Sequence, residues 1–445
     1  MPKRPNILFL MSDEHRYDLA GFAGDSVVRT PVIDALAADG VVFDNAYTPS
    51  PICVPARQCM MAGQLPESCD CRVYGDDLQP FSMTFARLFA QYGYNTVCAG
   101  KLHHMGPDKM QGWTQRIGMT GTVAPRYIEG LHHDELEQYA PEPGTGKWTN
   151  QKEIEKAGVG EGPFQKKDSY TMAGALQFIE DYFVSPAYDR PRSHRPLLLK
   201  VSLVQPHYPF LTDAEKFNYY LNRVPIYDEP RADHPKLSTT QAGPPVDATP
   251  RDKRRAMAAY YGMVETIDQY YGQILNALER AGQNLDEWII VYTSDHGDML
   301  GQHGVWEKRQ FYEAAVRVPL IIRLPGKKEA GLRVAQNVSL CDLFATFCDL
   351  CELPIPENLD SRSLLPLIKG KTSNWKNEAI AQYGHDEIMI KQDHLKYLYF
   401  GPQYPEVLFD LEKDPSENEN RIEQAPYQEA IAAFRKRLRE MGIVS

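Results

Sequence analysis

"NILFLMSDEH", Asn6 to His15, is the stretch on which the fold turns. Asn6 to Met11 is a nearly unbroken apolar run with no polar face to show to water, so it reads as a first strand buried on both sides. It runs directly into Asp13, Glu14 and His15. A second run, "WIIVYTSDHGD" from Trp288 to Asp298, ends the same way, in Asp295 and His296 with Asp298 close behind. Further apolar runs bounded by turn residues stand at "YNTVCAG" (94–100), "PLLLKVSLVQPH" (196–207) and "VPLIIRLPG" (318–326). Helical patterns alternate with them: "TPVIDALAADG" (30–40), "SMTFARLFAQYG" (82–93) and the long "RRAMAAYYGMVETIDQYYGQILNALERAG" (254–282), each closing on a glycine. Strands alternating with helices predict a mostly parallel central sheet with helices on both faces.

The remaining segments are organised differently. From about 112 to 168 and from 228 to 250, Pro, Gly and charged residues dominate without period, which predicts long loops over one end of the sheet. After Lys371 come "EAIAQYG", "IMIKQDHLKYLYF" and "EVLFDLEKDP", short strands with tight turns, then a helix from Ala425 to Met441. The expected division is an α/β domain over 1–370 and a smaller antiparallel-sheet subdomain over 371–445.

Composition narrows the function classes. With 48 Lys and Arg against 59 Asp and Glu the net charge is -11, which disfavours nucleic acid as a partner. The run "RDKRR" (251–255) reads as a solvated helix face. No stretch nears the roughly twenty apolar residues of a membrane span. The N-terminal "MPKRPNILFLMSDEH" imitates a secretory signal, but its apolar run is short and no small-residue cleavage site follows, so the expected location is the cytoplasm. Eight cysteines are too sparse for a disulfide scaffold. "CDC" (69–71) and "CDLC" (348–351) invite zinc, but Cys341, Cys348 and Cys351 recur at helical spacing and read as buried helix residues, and no complete set of zinc partners is evident.

Ligands of open α/β sheets bind beyond the carboxyl ends of the strands. Either acidic pair alone could be a helix cap. Three carboxylates and an imidazole converging on one crevice would repel one another unless a divalent cation compensated them. A third feature is "SPICVPARQCMMAG" (50–63), which places Cys53 as the cap of a helix with Pro55 in its first turn, where a thiol gains acidity from the helix dipole. A small buried core residue is the plainer reading of the same thiol.

Cys53, Pro55 and Arg57 form the pattern C-x-P-x-R, which resembles the signature of the type I sulfatases. The blocks "PNILFLMSDEHRYDLAGFAGD", "CVPARQCMMAGQLP", "YNTVCAGKLHHMGPD", "QPHYPF", "SDHGDMLGQHGVWEK" and "LFDLEKDPSEN" follow in family order over most of the chain. "AGQLP", "GKLHHMGPD" and "DHGDMLGQHGVW" are similar to the choline sulfatase-like branch, with the formylglycine phosphonate and phosphate monoester hydrolases next. The chain departs from the common pattern at Glu14, where a second aspartate is usual, at Ala62, where threonine is frequent, and at His296, where many members carry asparagine.

The resemblance implies an alkaline phosphatase-like α/β sandwich and a sulfuric ester hydrolase of the arylsulfatase kind. Cys53 would be oxidised by a formylglycine-generating enzyme and act, as the hydrate, as the nucleophile. Asp13, Glu14, Asp295 and His296, with Cys53 beside them, would hold one divalent cation, calcium with magnesium and manganese as alternatives. Arg57 would steady the charged hydrate, Lys101, His103 and Lys308 would surround the sulfate oxygens, and His207 would protonate the departing alcohol. The substrate implied is a small-molecule or sugar sulfate. A phosphonate or phosphate ester hydrolase on the same scaffold and a non-catalytic binder of sulfated ligands with unmodified Cys53 are the alternatives, and a homo-oligomer is left open. His104, His303 and His385 carry weaker claims. The tyrosines from Tyr260 to Tyr271, with Tyr17 and Trp306, read as core more readily than as an aromatic cage.

Overall fold

Residues 7–12 form a strand because every side chain in it is apolar or small and every one is taken out of water. Ile7, Phe9 and Met11 enter one core and Leu8 and Leu10 another, so this strand separates two layers. In the structure, a computed structural model describing residues 4–117, 154–184, 195–239 and 246–444, it lies in the middle of a nine-stranded sheet. In chain order the strands are β1 (Ile7–Ser12), β2 (Val41–Tyr47), β3 (Asn95–Gly100), β4 (Gln115–Ile117), β5 (Gly158–Val159), β6 (Leu197–Ser202), β7 (Leu211–Thr212), β8 (Ile289–Ser294), β9 (Arg317–Val318), β10 (Leu320–Arg323) and β11 (Arg333–Ser339). The large sheet runs β11-β2-β10-β8-β1-β6-β3-β4, with β9 paired to β2, and β5 and β7 form a separate short ladder. The pairs β8-β1, β1-β6, β6-β3 and β3-β4 are parallel, while β10 is antiparallel to both of its neighbours.

Helices cover both faces, as the alternation predicts. On the Phe9 side lie the helices Cys53–Ala62, Phe85–Gln91 and Leu343–Leu350, whose Met60, Phe85, Phe89 and Phe347 pack on the sheet. On the Leu8 side lie α1 (Pro31–Ala38), Pro163–Phe183 and the 31-residue Pro250–Arg280. The helix Cys53–Ala62 is called α2 below. Thr249 starts the long helix by accepting from Asp252 N at 3.2 Å, with Pro250 in the position where its missing N–H is harmless. Its basic run is not simply solvated, because Arg254 and Arg255 donate to the carbonyls of Val224 and Ala157. The loop expected over 112–168 is also too long at its end, since Pro163 opens a helix of 21 residues. The parts of the two expected loops at 118–153 and 240–245 lie outside the described residues.

The C-terminal strands β12 (Glu378–Tyr383), β13 (Glu387–Gln392), β14 (Leu395–Phe400) and β15 (Val407–Asp410) form an antiparallel meander. Period-two alternation divides its faces. Ala379, Ala381, Met389, Leu398 and Phe400 pack toward the main body, and Ile380, Ile388, Ile390 and Tyr397 pack under the helix Gln428–Glu440. Between meander and main body, Lys396, wholly buried, is paired to Glu313 at 3.1 Å and Glu417 at 2.7 Å. Among the described residues, no helix is long and apolar enough to cross a membrane.

One buried charge in the large sheet lacks such compensation. Lys200 in β6 is 0% exposed, its Nζ has no hydrogen-bond partner among the described residues, and it sits 5.0 Å from the Phe9 ring centroid. Burial pushes its pKa down to about 7. In the unfolded chain a lysine titrates near 10.4, so between those values the unfolded state binds the extra proton and stability rises with pH. Lys200→Met is therefore expected to raise the thermal midpoint at pH 7 by several degrees, with the gain shrinking as pH climbs toward 10. Melting curves of both proteins across that range check this, and a gain that grows with pH would contradict it.

Candidate active site

Register decides what meets at the end of the sheet. Ser12 of β1 stands opposite Ser294 of β8, Met11 opposite Ser202 of β6, and Ser202 opposite Gly100 of β3. Four parallel neighbours thus end almost level, and the residues that follow emerge side by side: Asp295 and His296, Asp13 and Glu14, and Lys101. Gly100 is required there. Its φ is +92°, and a Cβ would meet the carbonyl oxygen of Ser202 at 2.1 Å, the same oxygen that accepts from Lys101 N at 2.9 Å.

Arg57, one turn into α2, ties two of these strand ends together. Its Nη2 lies 3.0 Å from Asp13 Oδ2 and its Nε 2.7 Å from Asp295 Oδ2, while Nη1 donates to the Lys101 carbonyl at 3.0 Å and to Ser202 Oγ at 2.9 Å. Lys101 Nζ also pairs with Asp13 Oδ2. A guanidinium 1% exposed between two carboxylates is a strong charge-assisted arrangement, and it fixes which oxygens remain. Burial pushes Asp13 up, but Lys101 and then Arg57 outweigh it and hold the carboxyl well below its ordinary value.

The remaining lone pairs face one another. Asp13 Oδ1, Glu14 Oε1 and His296 Nε2 are buried with no hydrogen-bond partner among the described residues. His296 Nε2 is 3.9 Å from Asp13 Oδ1 and 3.8 Å from Asp295 Oδ1. Its Nδ1 is 3.0 Å from the Gly297 carbonyl, so that nitrogen carries the hydrogen and Nε2 presents a lone pair. Burial lowers the imidazole's proton affinity. Asp13, Asp295 and His296 each offer a ligand atom within 4.8 Å of the others, and so do Asp13, Glu14 and His207. Orphaned, buried acceptors converging in this way fit a divalent cation. Burial, with Asp298 and Asp13 adding to it, outweighs the pull of Lys308 and raises Glu14 well above the ordinary carboxyl value.

Glu14 is held by the backbone as well as by charge. It adopts φ 67°, costly for a side chain larger than glycine, and Tyr260 Oη pins it by donating to its carbonyl at 2.5 Å and accepting from Arg16 N at 3.0 Å. Tyr260 and Tyr271 are thereby accounted for as wholly buried core residues, as is Trp306, and they form no cage. Tyr17 lies under the guanidinium of Arg317, 4.2 Å from it.

Cys53 is not the cap of α2. Ile52 holds that position and Cys53 is the first helical residue, 2% exposed. Burial pushes its thiol up, with Lys101 and Lys308 pulling against that rise and Asp13 and Asp295 adding to it. The expected acidic thiol is therefore overturned: desolvation exceeds the helix-terminus effect. The charges felt at Cys53 are the same ones that surround the orphaned lone pairs.

His207 follows β6 through a turn fixed by Asp168, whose carboxylate accepts from Val204 N, Gln205 N and Gln205 Nε2 at 2.7, 2.9 and 3.1 Å. Lys308 Nζ lies 3.0 Å from Glu14 Oε2 and 2.6 Å from His207 Nε2. His207 Nδ1 meets the Tyr208 carbonyl at 2.7 Å and so carries a hydrogen, which makes Nε2 the acceptor of a Lys308 proton. Burial and Lys308 lower the imidazole well below its ordinary value. The proton at this edge of the site therefore resides on Lys308, with His207 neutral beside it.

His103 stands at the flank of α2, where its carbonyl accepts from Gln58 Nε2 at 3.1 Å and its ring meets Tyr74 edge-on at 5.8 Å. His104 Nδ1 bonds the Lys109 carbonyl, His303 is held between the carbonyls of Pro230 and Ser416, and His385 lies 3.5 Å from Glu67. These three are structural or peripheral. Sequence reading missed Asp168 and Ser202, and it read Tyr260 as core without the hydrogen bonds it makes to the site. Asp168 lay within what looked like loop, and the hydroxyls of Ser202 and Tyr260 act through hydrogen bonds to distant residues that no pattern announces.

The chain matches the sulfatase family model over residues 5–353 and a model described as N-sulphoglucosamine sulphohydrolase, C-terminal, over 301–443. It is 31% identical over 453 residues to a choline-sulfatase of Rhizobium meliloti, covering 97% of this chain and 86% of that one. It is 30% identical over 465 residues to an arylsulfatase of Clostridium perfringens, covering 97% and 93%. Its fold is similar to the phosphonate monoester hydrolase of Agrobacterium radiobacter, with a TM-score of 0.78 at 24% identity over 98% of this chain and 95% of that one. A protein solved in complex with its substrate D-glucosamine-2-N,6-O-disulfate superposes with a TM-score of 0.76 at 22% identity, covering 98% and 97%.

Proposed function

The chain belongs to the sulfatase family and is a sulfuric ester hydrolase, and on that premise we propose that it cleaves a small-molecule or sugar sulfate monoester at the crevice formed by Asp13, Glu14, Cys53, Asp295 and His296. The observation that supports this reading is the convergence of buried, unpartnered Asp13 Oδ1, Glu14 Oε1 and His296 Nε2 beside the first residue of α2, with two ammonium groups at the rim.

Sulfatases in general use a metal ion and a formylglycine. Asp13, Glu14, Asp295 and His296 would hold the ion, and a carboxylate majority favours a hard cation, for which we propose calcium. When bound, it supplies Lewis acidity toward a sulfate oxygen and stabilises an ionised hydroxyl. Oxidised to formylglycine, position 53 supplies an aldehyde hydrate as nucleophile with a route for sulfate to leave without a second attack on sulfur.

The chain's own groups do the rest. Arg57 clamps Asp13 and Asp295 so that one oxygen of each points inward. Lys101 and Lys308 place positive charge where the sulfate oxygens redistribute theirs. Lys308 carries the proton for the departing alkoxide, and His207 Nε2, accepting from the same ammonium, orients it. Burial of the cluster excludes water and strengthens each of these interactions.

The test combines mass and rate. Peptide mass over Cys53 from protein co-expressed with a formylglycine-generating enzyme should show the lighter aldehyde. That protein, loaded with calcium, should hydrolyse aryl and sugar sulfates faster than an aryl phosphonate monoester. A clear preference for the phosphonate would replace the substrate assignment. Sulfate-ester binding with Cys53 unmodified and no turnover would replace the catalytic one.

A further inference from the structure

We propose that Cys59 and Cys69 are a reversible oxidation site, two thiols placed to close into a disulfide beneath the helix that carries Cys53. Cys59 Sγ and Cys69 Sγ are 3.5 Å apart. Cys59 is two residues past Arg57 on α2, about 200° around the helix, so it faces away from the acidic cluster. Cys69 ends the short helix Pro66–Cys69, with Asp70 following at φ 58°.

The two sulphurs are unequal in the way such chemistry needs. Cys59 is wholly buried, whereas Cys69 is partly open to solvent. Hydrogen bonds from the Cys59 and Cys71 thiols favour the thiolate of Cys69 and hold its pKa below the ordinary thiol value, while Cys59 and Cys71 are pushed up. The reachable sulphur is thus the nucleophilic one, and its neighbour keeps a proton to give.

With a hydroperoxide as oxidant the step balances. The Cys69 thiolate attacks one peroxide oxygen, an S–O bond forms, the O–O bond breaks, and the hydroxide released takes up a proton as water. The Cys59 sulphur then attacks the Cys69 sulphur, the S–O bond breaks, and the departing hydroxide takes the Cys59 proton as a second water. Two thiols lose two electrons and hydrogen peroxide gains them. An S–S bond near 2.05 Å asks the sulphurs to approach by about 1.5 Å, which the half-buried, single-turn helix Pro66–Cys69 can supply.

Two other fates of these thiols are less favoured. Cys71 and Cys341 lie in the same small cluster, but among the described residues the groups of three or more ligand atoms within 4.8 Å of one another contain no cysteine, which argues against a thiolate metal site. A Cys69–Cys71 bond would close a ring around a single residue, Asp70, already in the left-handed region.

Peptide mapping of the full-length protein after hydrogen peroxide treatment and alkylation tests this. The expected product is one peptide pair joining Cys59 to Cys69, lighter than the sum of its parts by two hydrogens and separated by dithiothreitol. In Cys59→Ser the linkage should vanish and Cys69 should be trapped by dimedone as the sulfenic acid. Alkylation of both thiols after oxidant, a Cys69–Cys71 linkage instead, or bound zinc protecting the cluster would each overturn the proposal. The map of the unsubstituted protein decides the matter even if the variant fails to fold.

Discussion

Cys53→Ala is expected to lower kcat/KM by roughly 10⁴-fold or more while leaving the fold and much of the affinity for the metal in place. Two features of the site make these effects separable. The thiol is a small side chain at the first position of α2, in a core where truncation to alanine costs on the order of 1 kcal/mol. The groups that would hold the ion, Asp13, Glu14, Asp295 and His296, are positioned by strand ends and by Arg57, none of which depends on the cysteine. The oxyanion-stabilising charges of Lys101 and Lys308 also remain, so residual activity is expected to come from them alone. Rates on an aryl sulfate, elemental analysis of bound metal and a melting curve, taken together, check all three statements. Activity within tenfold of the unsubstituted enzyme would remove position 53 from the reaction.

The extent to which sequence foretold this arrangement follows from how each residue is specified. Buried parallel strands announce themselves because they must be apolar on both faces, and Asp13 and Asp295 are conspicuous for ending such runs abruptly. The family resemblance supplied Cys53, Arg57, Lys101, His207 and Lys308, and register explains why these distant positions meet. Protonation was not legible. The acidity expected of a helix-terminal thiol and of a general-acid imidazole is reversed by desolvation and by Lys308, terms that exist only once the chain has closed around them. Asp168 was hidden for a related reason: it begins to matter only when its helix packs against the turn after β6.

Asp13→Asn should affect function and stability together, because one carboxylate serves both. Its Oδ2 neutralises Arg57 and Lys101, and its Oδ1 is one of the orphaned acceptors. Asparagine keeps the shape and removes the charge, leaving Lys101 without the carboxylate it pairs with and Arg57 with Asp295 only. Breaking a buried pair in this way typically costs about 3–5 kcal/mol, and the loss should be read in EDTA-treated protein so that a bound ion does not mask it. The sign with pH is fixed by the direction of the shift. Asp13 lies well below its ordinary value in the folded state, so its contribution is complete above the unfolded pKa of about 3.9 and is lost as pH falls through the folded pKa. The stability gap between the two proteins should accordingly be full at pH 7 and narrow in strong acid. Bound divalent metal should fall with it, and turnover by roughly 10³-fold or more. A variant that retained full metal and rate would show that the ion sits elsewhere, whereas a variant that lost both without losing stability would show that Arg57 and Lys101 are held by something other than Asp13.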